Sequence, residues 1–256
     1  MIDPRAVIDP KAELDEGVTV GPFSVIGADV QIAAGTTIAS HVVIQGPTRI
    51  GRDNRLFPFS SLGEAPQDLK YQGEATRLEI GERNTIREYV TIHRGTIQDQ
   101  GVTRIGNDNL LMAYVHIAHD CRLGNSVILA NAASLAGHVT IDDWAILGGF
   151  SGVHQFCRIG SHAFVGAGSL LFKDLPPYIT IGGTPAAPHG INREGLVRRG
   201  FSSEALRNIR QAYKLLYKKG LKLEEAIAAM RQLAEETPEV GIMVDFIAQS
   251  QRSIIR

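Results

Sequence analysis

An aliphatic residue recurs every six positions along most of this chain, and few folds accommodate that period. The first run is Ile8, Leu14, Val20, Ile26, Ile32, Ile38, Ile44, Ile50, Leu56 and Leu62. It breaks, resumes at Ile80, Ile86 and Ile92, and breaks again. It then runs unbroken through Ile105, Leu111, Ile117, Leu123, Leu129, Leu135, Ile141, Leu147, Val153, Ile159, Val165 and Leu171. If roughly a quarter of residues are Ile, Leu or Val, so long a final run arises by chance on the order of once in ten million. Glycine often follows the aliphatic residue (Gly21, Gly27, Gly106, Gly124), and a small or β-branched residue often stands four places after it (Val30, Thr36, Val42, Ala133, Ala145). Six residues are too few for a helical repeat, and the β-branched bias suits short strands. Three such units closing one triangular coil make a parallel β-helix, in which residues eighteen apart stack at the strand spacing of about 4.8 Å. The 25 repeat positions predict roughly eight coils and a prism ~40 Å tall.

The rest of the chain divides around this code. The two interruptions, residues 63–79 and 93–104, are polar and carry Gly, Pro and charge, and they read as loops leaving the prism. After Pro176-Pro177 the code stops, and residues 1–190 are assigned to the β-helix. Residues 191–256 read as a C-terminal helical domain, with Leu206, Ile209, Tyr213, Leu216 and Tyr217 on one stripe behind a Ser202 cap and further helices over 222–235 and 238–252. The chain is therefore mainly β with an α-helical tail. Its 27 glycines and 6% aromatic residues fit many tight turns around a thin aliphatic core. With 26 Lys+Arg against 27 Asp+Glu it has no global positive field, which argues against a nucleic-acid partner. No apolar run approaches a membrane span, and the start, MIDPRAVIDP, has acids and prolines where a signal peptide has an apolar stretch, so a cytoplasmic protein without membrane insertion is expected.

Counting the aliphatic residue as phase zero, phases zero and four point inward. Cys121 and Cys157 are both phase four and 36 residues apart, two coils or ~9.6 Å, too far for a disulfide; they read as packing thiols. His41, His93, His116, His119, His138, His154 and His162 all fall at outward phases. For His41 and His162 a solvated surface position is expected. The others cluster. His138 is eighteen residues beyond Asp120, which stacks the two at hydrogen-bonding reach. His119, Gly137 and Gln155 are successive members of one outward column: a base, a bare backbone position and an amide, consistent with a reaction groove or with ordinary polar surface.

The segments HIAHDC (116–121), QDLKY (67–71), TIHRGT (91–96), AGHV (136–139), VHQFC (153–157) and NREGLVRRGFS (192–202) resemble the UDP-N-acetylglucosamine acyltransferases of lipid A biosynthesis. The likeness spans nearly the whole chain, both interruptions and the tail included. It implies the left-handed parallel β-helix of hexapeptide acyltransferases. It also implies transfer of an (R)-3-hydroxyacyl chain from acyl carrier protein to the glucosamine 3-hydroxyl of UDP-N-acetylglucosamine. By the same resemblance His119 is the general base, Asp120 the carboxylate that orients it, and Gly137 the oxyanion donor through its N–H. Sugar and phosphate contacts fall on Asp68, Lys70, His93, His116, His138 and Gln155, and nucleotide contacts on Asn192, Glu194, Arg198 and Arg199. No metal or bound cofactor is implied, the donor being carried on the phosphopantetheine of acyl carrier protein. The column arithmetic, by contrast, pairs Asp120 with His138 at least as naturally as with His119.

Two other classes fit parts of the pattern. A zinc hydrolase of the carbonic anhydrase type would use His93, His116 and His119, although Lys70, Arg198 and Arg199 suit phosphates instead. A scaffold solenoid would repeat its outward residues, whereas here only the inward ones repeat. A homotrimer is expected, because three prisms can meet along flat faces and because Met112, Tyr114 and Phe150 point outward; the resembling family is trimeric with sites between subunits. The basic segment 193–222 holds nine Lys or Arg against Glu194 and Glu204, with Arg207, Arg210, Lys214 and Lys218 on one helical face, and is the expected docking surface for acyl carrier protein. Ala167 falls where the family sets acyl-chain length, with Phe164 narrowing the groove, and a preference for chains shorter than those taken with glycine there is expected.

Overall fold

Each six-residue unit forms one very short strand and one corner. In the computed structural model, which describes residues 1–256, two-residue strands such as Val25–Ile26, Val43–Ile44 and His116–Ile117 end on the repeating aliphatic residue. Strands three units apart pair in parallel, Val25 against Val43 and His116 against Ser134, so the chain winds as a triangular coil. The first face is a nine-stranded sheet from Val7–Ile8 through His116–Ile117 to Leu170–Leu171. The second has eight strands, from Glu13–Leu14 through Arg122–Leu123 to Arg158–Ile159. The third has ten, from Thr19–Val20 through Leu110–Leu111 to Ile179–Gly182 and Ala187–Ile191.

The inward phases form the core, with Ile44, Leu62, Ile92, Ile117 and Leu135 fully buried. Phase four also carries polar residues. Asn54, Asn84 and Asn109 stack inside the prism, where the Asn84 side chain donates to Asn54 Oδ1 (3.0 Å) and the Gly106 carbonyl (2.9 Å) and accepts from the Asn109 amide (2.9 Å). Burial at this position requires such partners, and the amide supplies donor and acceptor together. At the corners, phase-three residues adopt left-handed backbone conformations although they are not glycine: Asp120 has φ 60°, His138 63°, Trp144 64° and His162 58°. A non-glycine residue there costs energy. Side-chain stacking up the corners offsets it, as where the Phe59, Tyr89 and Tyr114 rings follow one another at centroid spacings of 5.0 and 4.8 Å.

The interruptions are shorter than the break in periodicity predicts. Strands Ser61–Glu64 and Arg77–Ile80 bound the first, and Thr91–His93 and Val102–Ile105 the second, so each edge still pairs within the sheet. The columns continue across both, with Ser61 opposite Thr91 and Thr91 opposite His116. The coil also outlasts the code. Past Pro177, Ile179–Gly182 adds one more parallel rung against Phe164–Val165, and Ala187–Ile191 folds back on it antiparallel.

Four helices follow: α1 (Arg193–Arg198), α2 (Ser203–Tyr217), α3 (Leu223–Ala234) and α4 (Pro238–Ala248). Ser202 caps α2 through a bond from the Ala205 amide (3.0 Å), and Ile209, Tyr213 and Leu216 form its buried stripe. Helix α4 ends before the expected 252, because the chain turns back to the prism: Ile254 bridges to Asp174, whose carboxylate accepts from the Arg158 amide (2.8 Å) and the Ser250 hydroxyl (2.7 Å). No helix is long and apolar enough to cross a membrane.

Candidate active site

The corner between the first and second faces carries a histidine–carboxylate pair. His119 and Asp120 occupy the turn after His116–Ile117, and one coil above them stand Gly137 and His138. The His119 Nδ1–H donates to Asp120 Oδ2 at 2.8 Å. A carboxylate can only accept, so this bond fixes the tautomer and leaves Nε2 as the basic nitrogen. Asp120 is almost fully buried, and its carboxylate also accepts from the Thr96 amide (2.9 and 3.1 Å) and the Thr96 hydroxyl (2.7 Å). Burial alone would raise its pKa, but the hydrogen bonds from His119 and Thr96 outweigh that and hold it below the ordinary carboxylate value.

Stacking arithmetic placed His138 within hydrogen-bonding reach of Asp120, and the structure corrects this. His138 Nε2 lies 3.8 Å from Asp120 Oδ2, and its Nδ1 faces Asp99 at 3.4 Å. The His138 ring meets His119 edge-on, with centroids 5.1 Å apart, and lies flat on Phe156 at 4.3 Å. Asp120 is therefore hydrogen-bonded to His119 and not to His138.

Gly137 fits the column as expected. A Cβ there would stand 2.5 Å from His119 Cε1 and 2.7 Å from Nε2, so the bare backbone is what lets the ring lie against it. Gly137 is a buried residue whose amide donates to no group of the protein. A basic nitrogen and an uncommitted backbone N–H thus share one partly covered corner, the arrangement that proton transfer and oxyanion stabilisation require. Gln155, one coil further, is exposed, and its carbonyl accepts from Arg252 of the returning tail (3.0 Å).

His93 and His116 lie beside this corner on the first face, their rings edge to face at 5.3 Å. His93 is outward in phase yet buried, because the first interruption folds over it and the Ala65 carbonyl accepts from its Nδ1 (2.8 Å). Burial pushes the pKa of both histidines below the ordinary imidazole value, so both are neutral near pH 7. His116 Nδ1 shares a hydrogen bond with Thr91 Oγ1 (2.8 Å). An open groove of about 410 Å³ runs from His116 along the face, lined by Leu135, Val153, Leu170 and Phe172 among others. Asp68 and the exposed Lys70 lie in the covering loop, which is pinned where the Tyr71 hydroxyl accepts from Arg94 (2.9 Å).

The remaining candidates sit elsewhere on the chain. Asn192 caps α1, accepting from the Gly195 amide (3.2 Å) and donating to the His162 carbonyl (2.9 Å). Glu194 and Arg198 are exposed, while Arg199 lies over the Trp144 ring (4.9 Å) and donates to His162 Nδ1 (3.2 Å). His162 is thus no solvated surface residue. Burial and the Arg199 charge lower its pKa to about 4. This group occupies the corner between the second and third faces, and Ala167 and Phe164 belong to the third face and its following corner, so neither set joins His119 within one chain.

The zinc reading loses its geometry. His93, His116 and His119 do not bring one nitrogen each within 4.8 Å of one another; the cluster that does is His119, Asp120 and His138, whose carboxylate already carries Thr96. Cys121 and Cys157 are buried free thiols, with burial pushing them up to about 12 and about 11. Sequence reasoning missed Thr96 and Asp99, which lie in the second interruption, where no column address exists, and Thr103 on the strand that closes it. Phe156 was within its reach, being eighteen residues beyond His138.

Comparison with known proteins identifies the family. The family described as Udp N-acetylglucosamine O-acyltransferase, Domain 2, matches residues 174–255, and the bacterial transferase hexapeptide family matches 11–46 and 103–137. The acyl-[acyl-carrier-protein]–UDP-N-acetylglucosamine O-acyltransferase of Halorhodospira halophila is 60% identical over 255 residues, covering 100% of this chain and 99% of the relative. That of Thiobacillus denitrificans is 56% identical over 255 residues with the same coverage. The UDP-N-acetylglucosamine acyltransferase structure from Francisella novicida superposes with TM-score 0.98 at 45% identity, covering 100% of this chain and 94% of that one. The one from Moraxella catarrhalis gives 0.97 at 46%, covering 100% and 99%. The left-handed β-helix with a helical tail, the repeat and the full-length identity converge, and the chain belongs to the acyl-[acyl-carrier-protein]–UDP-N-acetylglucosamine O-acyltransferase family.

Proposed function

We propose that this chain transfers an (R)-3-hydroxyacyl group from acyl carrier protein to the 3-hydroxyl of the glucosamine of UDP-N-acetylglucosamine, the first step of lipid A biosynthesis. The observation that carries this reading is His119, held by Asp120 at 2.8 Å with its ring against the unpaired Gly137 amide. Nε2 takes the proton of the sugar hydroxyl as its oxygen attacks the thioester carbonyl. The oxyanion that forms accepts from the Gly137 N–H. Collapse expels the pantetheine thiolate, and the imidazolium returns the proton to it. Asp120 stabilises the transient imidazolium and stays ionised throughout. The chemistry needs neither metal nor bound cofactor, since the activated acyl group arrives on phosphopantetheine.

Neutral His93 and His116, with His138, Gln155, Asp68 and Lys70, surround the sugar and phosphates, and Asn192, Glu194, Arg198 and Arg199 take the nucleotide. The two sets lie on different corners of one prism, which supports a homotrimer with each site built between subunits. Tyr114 and Phe150 are 60% and 75% exposed in one chain, an apolar corner suited to burial between copies. Arg207, Arg210, Lys214 and Lys218 on α2 are all exposed and offer acyl carrier protein a basic face. Ala167, exposed at its corner, with Phe164 beside it on the third face, sets the acyl length across the subunit boundary. The cytoplasm, where acyl carrier protein works and buried thiols stay reduced, is the site of action. The test is His119→Ala: acyl transfer should fall about 10²- to 10⁴-fold with the thermal midpoint unchanged. Retained transfer would remove His119 as the base.

A further inference from the structure

Asp120 has two histidines beside it but is hydrogen-bonded to one, and something must decide between them. His119 Nδ1 stands 2.8 Å from Oδ2, and His138 Nε2 stands 3.8 Å from the same oxygen. Column stacking favours His138. What breaks the tie comes from the second interruption: the Thr96 amide reaches both carboxylate oxygens (2.9 and 3.1 Å) and the Thr96 hydroxyl donates to Oδ2 (2.7 Å). From the strand that closes the same loop, Thr103 Oγ1 accepts from the Asp120 amide (2.8 Å). Asp99, also in that loop, faces His138 Nδ1 (3.4 Å) and pairs with Arg122 (3.0 Å), giving His138 a carboxylate of its own.

We propose that Thr96 is a positioning residue, locking the Asp120 carboxylate in the rotamer that orients His119 and denying it to His138. The inference rests on the acyl-transfer reading, in which His119 is the base. The interruption of the β-helix thus has a definite task. A corner built only of stacked coils holds Asp120 by its backbone and leaves the carboxylate free to swing. The loop adds the two donors that fix it. Losing the hydroxyl leaves Oδ2 with one fewer donor and lets it turn toward His138.

The test is Thr96→Val, which keeps the backbone N–H and removes the hydroxyl, with Thr96→Ser as the conservative variant and Thr96→Ala standing in should the valine protein not fold. Expected for Thr96→Val is a kcat about tenfold to a hundredfold lower with KM for both substrates little changed, as for a small misplacement of a catalytic group. Thr96→Ser should restore most of the rate. In an Asp120→Asn background the Thr96→Val loss should nearly vanish, since both act through one carboxylate. Nitrogen chemical shifts of labelled histidine give a readout independent of turnover: one tautomer, Nδ1–H, at His119 in the wild type and a mixture in Thr96→Val. An unchanged kcat, an undiminished loss in the Asp120→Asn background, or an unaltered His119 tautomer overturns the proposal. Wild-type protein that transfers no acyl group would overturn the reaction reading instead, and the tautomer spectrum would still decide the role of Thr96.

Discussion

Replacing Gly137 by alanine separates catalysis from folding at this site. The backbone at 137 is not left-handed, so alanine is conformationally allowed, and it keeps the N–H proposed to bind the oxyanion. The new methyl would lie 2.5 Å from His119 Cε1 and 2.7 Å from Nε2, distances that real Cβ contacts do not show. The backbone of 137 is tied into the corner on either side, by the Phe156 amide donating to its carbonyl (3.1 Å) and the His138 amide donating to the His119 carbonyl (3.0 Å), so the ring must move. Restoring ordinary contact takes about 1 Å, enough to cost on the order of a hundredfold in rate, or about 2.7 kcal/mol in the barrier. Stability should change little, because the ~0.4–1 kcal/mol gained by restricting the unfolded chain partly offsets the crowding. The assay is kcat for transfer from acylated carrier protein beside a thermal melt, with a crystal structure to measure the His119–Asp120 bond. A Gly137→Ala protein within about twofold of wild-type kcat with an unmoved ring would refute the reasoning.

Other perturbations probe the surroundings. Asp120 is held below the ordinary carboxylate pKa, so it contributes stability that is present above about pH 4 and lost as the pH falls through its folded value. Asp120→Asn should therefore flatten the acid limb of a pH series of thermal melts. His162, lowered from 6.5 to about 4, stabilises fully above pH 6.5 and progressively less down to about pH 4. His162→Phe, which keeps a ring against Tyr178 and Phe201, should remove that slope. Neither Cys121 nor Cys157 should react with iodoacetamide at pH 8 in native protein, and both should in denaturant, as counted by mass spectrometry. Asn84→Ala strands the Gly106 carbonyl and the Asn109 amide inside the prism, takes one of two donors from Asn54 Oδ1, and should cost about 2–4 kcal/mol in denaturant unfolding.

The coil was legible because its period is written in residues that can only point inward, and columns eighteen apart brought Gly137 to His119 before any coordinates. The same arithmetic failed at Asp120. A column fixes where the Cα atoms stack, whereas the carboxylate direction is set by Thr96, whose loop lies outside the repeat and has no phase. The covering of His93 and His162 is not legible in the repeat for a related reason. Phase tells whether a side chain leaves the prism, and both do, but one is covered by the loop at Ala65 and the other by Arg199 and Phe201 of the helical tail. The left-handed corners were equally silent, since Asp, His, Trp and Phe occupy them without the glycine that usually marks such a backbone.

The bond from the His138 amide to the His119 carbonyl carries a consequence for how such an enzyme changes over time. The proposed base and oxyanion donor, His119 and Gly137, sit on successive rungs, so their separation is the pitch of the coil itself and comes only in whole steps. No substitution in a remote layer can stretch it by a few tenths of an ångström, and inserting residues between 119 and 137 would have to add a full turn or bulge outward as a loop. Selection can alter which side chain stands at each address, and which loops reach in from outside, while the spacing of the reacting groups stays indexed to the ladder.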